Sequence, residues 1–290
     1  MTRRSRRHPD WLKVPIPGGA SYKTIKQQLR TAHLHTICEE ANCPNLSECF
    51  QKGTATFLIL GDTCTRNCQY CNVTHGTPDN LNDSEPQDVA ESVKSLHLSH
   101  VVITSVTRDD LTDGGARVFA DVIKAIRTNT PTCTIEVLIP DFQGNTKALH
   151  TVLDEKPDVL NHNIEVVKEL FPNIRPEGSY QQSIHLLTQS KQYASKVITK
   201  SGFMVGLGET REQINQLLMD LLDAAVDILT IGQYLQPTSS HTPIIRYYTP
   251  DEFMELSTYA KNLGFTYVES GPLVRSSYPV SYTHLTLPTN

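Results

Sequence analysis

Thr54-Ala55-Thr56-Phe57-Leu58-Ile59-Leu60-Gly61-Asp62-Thr63-Cys64-Thr65-Arg66-Asn67-Cys68-Gln69-Tyr70-Cys71 joins an apolar run to three closely spaced cysteines. Its first seven residues are apolar or β-branched and stop at Gly61-Asp62, the pattern of a buried strand feeding a loop. The loop then presents Cys64, Cys68 and Cys71 in a C-x3-C-x-aromatic-C spacing. Thiols this close on a tight loop converge on one inorganic centre. Structural zinc sites normally pair C-x2-C knuckles to reach four ligands, and this loop lacks that pairing. Three thiolates on a cubane iron-sulfur cluster instead leave one iron open to an outside ligand, as a catalytic cluster requires.

Outward from this loop, apolar or β-branched runs recur at 101–106, 134–139, 159–164, 202–207 and 228–234. Between them lie helix-period segments. Over 86–96, Val89, Val93 and Leu96 share one face, and over 115–127 so do Val118, Val122 and Ile126. A last helix is marked by Thr249 as N-cap, Pro250 at its first position, Asp251 and Glu252 in the first turn and Gly264 as terminator, before a strand over 265–269. Strands alternating with helices predict an α/β fold with a parallel sheet. Six strands predict a partial (β/α)6 TIM-like barrel, with a doubly wound open sheet as the rival. In either, functional loops gather at the C-terminal strand ends.

The whole chain, 290 residues and 32.4 kDa, is long enough to bury a large core. No apolar run approaches the roughly 20 residues a bilayer crossing needs. With 26 basic against 31 acidic residues the net charge is −5, so no global basic field exists to hold nucleic acid. Neither membrane nor nucleic acid is expected as a partner. Seven cysteines is an odd number. They divide into Cys38, Cys43 and Cys49, then Cys64, Cys68 and Cys71, with Cys133 alone as a buried small hydrophobe. Two triplets mean two sites, and free thiols suit a reducing, cytoplasmic setting. Arg3, Arg4, Arg6 and Arg7 precede no apolar segment and read as a solvated basic tail.

Loops after the strands carry unusual polar groups. Arg108-Asp109-Asp110 leads to the pair Gly114-Gly115, where backbone can approach a ligand closely. The third strand holds Glu136, and the fourth runs into Asn161-His162-Asn163-Ile164-Glu165. Carboxylates and amides here can grip ribose hydroxyls. His162 reads as a packed core residue rather than a base. The fifth strand reads Gly202-Phe203-Met204-Val205-Gly206-Leu207-Gly208-Glu209.

The Cys64, Cys68, Cys71 motif, with Tyr70 as its aromatic, strongly resembles that of the radical S-adenosylmethionine superfamily. That resemblance implies a 4Fe-4S cluster whose open iron is chelated by the amino and carboxylate groups of S-adenosylmethionine, giving a 5'-deoxyadenosyl radical. Gly114 and Gly115 look similar to a pair that bonds the methionyl amino group. Asn163 and Glu165 match a run in biotin synthase that contacts the nucleoside, and Met204 lies in a segment like the one packed against adenine. No catalytic acid, base or nucleophile is expected, because cluster and radical carry the chemistry.

Cys38-Glu-Glu-Ala-Asn-Cys43-Pro-Asn-Leu-Ser-Glu-Cys49, with C-x4-C-x5-C spacing, resembles the lipoyl synthase family, as do Arg108-Asp-Asp, Gly232-Gln-Tyr-Leu-Gln-Pro237 and Arg275-Ser276-Ser277-Tyr278. The resemblance implies a second, auxiliary 4Fe-4S cluster on Cys38, Cys43, Cys49 and Ser277. It further implies a sulfurtransferase inserting two sulfur atoms at C6 and C8 of a protein-bound octanoyl-lysine, with the auxiliary cluster as donor. Implied partners are octanoylated lipoyl-carrier domains (2-oxoacid dehydrogenase acyltransferase subunits and the glycine cleavage H protein), a flavodoxin- or ferredoxin-type reductant, and an iron-sulfur carrier that rebuilds the cluster. The rival readings are another two-cluster radical sulfurtransferase and a non-catalytic iron-sulfur or zinc protein.

The expected organisation is an N-terminal cluster-binding extension over 1–50, the barrel over 51–270, the Arg-Ser-Ser-Tyr segment over 271–278 and a foreign tail over 279–290. That tail, Pro279-Val-Ser-Tyr-Thr-His-Leu-Thr-Leu-Pro-Thr-Asn290, departs from the family pattern, and its codons can spell the end of a transposase-based sequencing adapter.

Overall fold

The computed structural model describes residues 8–13, 30, 34–40 and 56–277. Cys43, Cys49, Tyr278 and the tail over 279–290 lie outside them, as does the side chain of Cys38. The short strand β1 (His35–Thr36) runs into a single-turn helix α1 (Ile37–Glu40). Then come β2 (Thr56–Ile59), the two-residue strands β3 (Thr63–Cys64) and β4 (Thr74–His75), α2 (Glu85–Ser95), β5 (His100–Ser105), α3 (Ala116–Asn129) and β6 (Thr134–Leu138). The second half holds α4 (Thr146–Asp154), β7 (Val159–Asn161), α5 (Phe171–Ile174), α6 (Tyr180–Tyr193), β8 (Ile198–Val205), α7 (Arg211–Asp223), β9 (Ile228–Gln233), α8 (Pro250–Leu263) and β10 (Tyr267–Gly271).

One sheet takes the order β1-β2-β5-β6-β7-β8-β9-β10, parallel throughout except that β1 pairs antiparallel with β2. After β2 the strand order never reverses, so the sheet has no topological switch point of the doubly wound kind. The long helices pack each on the next along the chain, α2 on α3, α3 on α4, α4 on α6, α6 on α7 and α7 on α8. A single outer layer of helices around an open, sequentially ordered parallel sheet is a partial barrel. β10 adds a seventh parallel strand to the six expected as barrel units.

Apolar periodicity explains the helix seats. Val89 and Val93 of α2, and Val122 and Ile126 of α3, are completely buried. Each such side chain contributes roughly 1.5–3 kcal/mol by leaving water. Thr249 and Glu252 form a reciprocal cap at the start of α8, with Glu252 N donating to Thr249 Oγ1 (3.2 Å) and Thr249 N to Glu252 Oε2 (2.8 Å).

Two strands differ from their expected bounds for identifiable reasons. β8 begins four residues before Gly202 because Thr199, Lys200 and Ser201, polar and so hidden from a hydrophobic pattern, are fully buried. β7 stops at Asn161; beyond it only an isolated bridge joins Glu165 to Phe203, with Glu165 in the left-handed region at φ 71°. Among the described residues, no helix is long and apolar enough to cross a membrane.

Candidate functional site

At the C-terminal strand ends lies a cavity of about 510 Å³. Cys64, Cys68 and Cys71 line it, together with Tyr70, Asn163, Glu165, Met204 and Ser277. The cysteine loop springs from β3 and is tied down at both sides. Thr65 N donates to Thr107 O (3.0 Å), Gln69 N to Ile174 O (2.8 Å), and Thr242 N to Gln69 O (3.0 Å). His241 Nε2 donates to Cys71 O (2.8 Å), which requires its Nδ1 to accept from Thr238 Oγ1 (2.8 Å).

Arg66, inside the cysteine motif, is the deepest anchor. Its guanidinium makes paired bonds to Asp109 (2.6 and 2.9 Å) and to Asp141 (2.8 and 2.7 Å). Burial pushes the Asp141 carboxyl up, but the bonds and charge of Arg66, with Arg175, outweigh it and bring it down to about 2. Arg175 reaches the same carboxylate at 3.7 Å and donates to Asn163 O at 3.3 Å. Sequence reasoning missed Arg66, Asp141, Arg175 and His241. Asp109 stood inside a noted polar run, but nothing local tied it to residue 66.

The three thiols are free. Burial, with the neighbouring acidic groups, raises Cys68 to about 12 despite Arg175 and raises Cys71 to about 11. The cavity by itself thus disfavours thiolates there, and a bound cationic centre is what would deprotonate them. Cys64 Sγ accepts from Arg66 N (3.4 Å) and Thr107 N (3.3 Å), which fix its place on the loop. Among the described residues no three His, Cys, Asp or Glu side chains are grouped to hold a single metal ion. Three soft sulfur donors on a cavity wall suit an iron-sulfur cluster with one iron facing the open space.

Other expected residues divide. Asn163 lines the cavity, and its Oδ1 is buried without a partner. Glu165 accepts from Asn163 and Tyr70, while burial pushes its carboxyl up against those bonds and the Arg175 charge. Gly206 (φ 103°) ends β8, where Glu209 accepts from the Gly206 and Leu207 N–H groups at 2.7 and 2.9 Å.

Gly114 and Gly115 are not among the residues that line this cavity. They precede α3 with φ of 60° and 87°, and a Cβ would lie 2.9 Å from Phe142 Cδ1 at the first and 2.3 Å from Leu60 Cδ1 at the second. Their absence of side chains serves packing, and the second barrel strand presents Thr104, Ser105 and Val106 to the cavity instead. Glu136 is likewise not at the ligand surface; it is sealed below, paired with Lys200 Nζ at 3.0 Å. His162, lowered to about 4 by burial and then by Arg175, donates Nδ1 to Ile139 O and accepts from Ser183 at Nε2, both 2.9 Å. It is a neutral core residue, as expected.

The second triplet's surroundings are partly visible. Ile37 of α1 lines the cavity, and Glu40 O accepts from Asn72 Nδ2 at 3.2 Å, so the helix bearing Cys38 abuts the loop bearing Cys71. At the far side Val274, Arg275, Ser276 and Ser277 line the same cavity.

Residues 58–221 match the Radical SAM superfamily, and residues 2–43 match the N-terminal domain of lipoyl synthase of the Radical SAM family. A lipoyl synthase of Rubrobacter xylanophilus is 53% identical over 270 residues, covering 93% of this chain and 84% of the relative. One of Chloroflexus aurantiacus is 53% identical over 272 residues, covering 94% and 89%. The crystal structure of methylornithine synthase shares the fold, with a TM-score of 0.54 at 13% identity over 93% of this chain and 91% of that one. Identity at this level across both cysteine triplets and the barrel leaves one assignment: the chain belongs to the lipoyl synthase family of radical S-adenosylmethionine enzymes, sulfurtransferases that work with S-adenosylmethionine and two 4Fe-4S clusters.

Proposed function

We propose that this chain inserts two sulfur atoms at C6 and C8 of a protein-bound octanoyl-lysine, holding one cluster on Cys64, Cys68 and Cys71 and the auxiliary cluster on Cys38, Cys43, Cys49 and Ser277. The carrying observation is that one cavity is lined by Cys64, Cys68, Cys71 and Ser277, with the Cys38 helix against it. When bound, the two clusters and S-adenosylmethionine supply the radical that removes hydrogen from unactivated carbon and the sulfur that replaces it.

The chain's own residues hold and shield these groups. Arg66, clamped between Asp109 and Asp141, fixes the cysteine loop. Arg175 offers its guanidinium to an anionic group such as the methionyl carboxylate. Asn163 Oδ1 accepts from a ribose hydroxyl, with Glu165 and Tyr70 bracing the amide. Met204 and Phe203 supply an apolar wall. Protein walls keep water from a reactive intermediate. His162 has both ring nitrogens engaged and transfers no proton.

On this reading, 1–50 is the auxiliary-cluster extension, 51–270 the barrel and 271–278 the closing segment. The finer partners are octanoylated acyltransferase domains or the glycine cleavage H protein, a flavodoxin- or ferredoxin-type reductant and an iron-sulfur carrier, all in the cytoplasm. Anaerobic reconstitution tests it: about eight irons per chain and thiolation of an octanoyl-lysyl peptide dependent on S-adenosylmethionine are expected, and bound zinc without iron would overturn it.

A further inference from the structure

β10 ends at Gly271, whose register partner in β9 is Gly232. The chain then turns, with Val274 N donating to Gly271 O at 3.1 Å, and folds back over the sheet's inner face. Val274 O comes to rest on Gly232: a Cβ there would lie 2.2 Å from that oxygen and 3.4 Å from Arg275 Nη1. Arg275 Nη1 in turn donates to Val274 O at 2.7 Å, closing the contact. A backbone carbonyl cannot swing away as a side-chain tip can, so any side chain at 232 must lift the segment. Gly232 has no positive φ, and its flanking positions in β9 are fully buried. Its lack of a Cβ is therefore a matter of space for the segment and not of backbone conformation.

We propose that Gly232 is the seat of the C-terminal segment, a positioning residue that sets where Ser277 stands in the cavity without touching the Cys64, Cys68, Cys71 site. This rests on the reading of Ser277 as an auxiliary-cluster ligand. The mirror position supplies a control. A Cβ at Gly271 would meet only Val274 Cγ2, at 3.3 Å, a methyl that can rotate.

The test compares Gly232→Ala, Gly271→Ala and Ser277→Ala in the full reconstituted chain. Three readouts are taken: tryptic cleavage after Arg275, the Mössbauer signature of an oxygen-ligated iron, and the split between 5'-deoxyadenosine and thiolated octanoyl-lysyl peptide. Gly232→Ala is expected to speed cleavage, erase the oxygen-ligated signature and lower thiolation about 100-fold, the scale of an ångström-level misplacement. Its 5'-deoxyadenosine yield should stay within about twofold, since ground binding at the other site is intact. Gly271→Ala should match the parent in all three. Unchanged cleavage and signature in Gly232→Ala overturn the inference. If instead Ser277→Ala keeps the signature while Gly232→Ala speeds cleavage, the ligand reading fails and the seat stands. Should Gly232→Ala not fold, Arg275→Ala, which frees Val274 O while leaving the seat open and removes the tryptic site, is expected to speed chymotryptic cleavage after Leu273 and to weaken the same signature; no change in that signature would overturn the proposal.

Discussion

Two polar layers lie inside the barrel, one sealed and one open. Glu136, Asn161 and Lys200 fill the sealed layer; two residues further along the chain, Leu138 and Gly202 on their strands, and Asn163 just past the end of β7, line the cavity. The two layers share strands and face, because side chains alternate with period two. In the sealed layer Lys200 Nζ donates to both Glu136 oxygens (3.0 and 3.2 Å) and Asn161 Nδ2 to Glu136 Oε1 (3.0 Å), while Asn161 Oδ1 has no hydrogen-bond donor. In the open layer Asn163 Oδ1 has no protein partner, and burial raises the thiols of Cys68 and Cys71. The paired charges of Glu136 and Lys200 fill the one layer, whereas the other borders a cavity with room for a ligand.

The comparison breaks if the open layer proves structural. Cys64→Ala is expected to abolish 5'-deoxyadenosine formation while the melting temperature of the cluster-free chain stays near the parent's; persistence of 5'-deoxyadenosine in an anaerobic turnover assay would remove that cluster from Cys64. Lys200→Met tests the opposite side. It leaves Glu136 buried without its ammonium and should cost about 3–5 kcal/mol in urea unfolding, and adding Glu136→Gln should recover most of that. Equal losses in single and double variants would show that the sealed pair is no unit.

Asp141→Asn, past the end of β6, should cost about 3 kcal/mol by leaving Arg66 half-paired. Because the folded Asp141 titrates near 2, below its ordinary 3.8, its contribution is full above about pH 4 and is lost as pH falls through 2, so the variant's stability deficit should shrink in acid. Ser277→Cys should keep the iron content yet slow thiolation about tenfold, a magnitude typical of changes around a metal site. We attribute this to a harder, readily protonated oxygen ligand leaving iron more easily than a thiolate as the cluster gives up sulfur. The smallest effect concerns His162. Its folded value near 4 lies below the ordinary 6.5, so it contributes stability above pH 6.5 that declines as pH drops toward 4, and His162→Gln should flatten that part of the stability curve.

How much of this was legible in the sequence follows from the range of each interaction. The cysteine loop, the strand before it and the Thr249 cap are encoded within a few residues, and each was readable. The barrel follows from alternation alone. The start of β8 was not readable, because Lys200 looks like surface until Glu136, 64 positions away, is placed beside it. The clamp of Arg66 on Asp141 spans 75 positions and the His241 bond to Cys71 spans 170, and no local pattern announces either. Gly114 and Gly115 show the converse limit: a glycine pair indicates that side chains are excluded, and only the placement of Leu60 and Phe142 shows what lies against them.

We place radical sulfur insertion in the open layer. The most direct test is mass spectrometry of an octanoyl-lysyl peptide after anaerobic turnover of the reconstituted chain with S-adenosylmethionine and dithionite. The account predicts a peptide heavier by two sulfur atoms, with 5'-deoxyadenosine formed alongside it. An octanoyl peptide recovered unchanged from a chain carrying its full iron would contradict it.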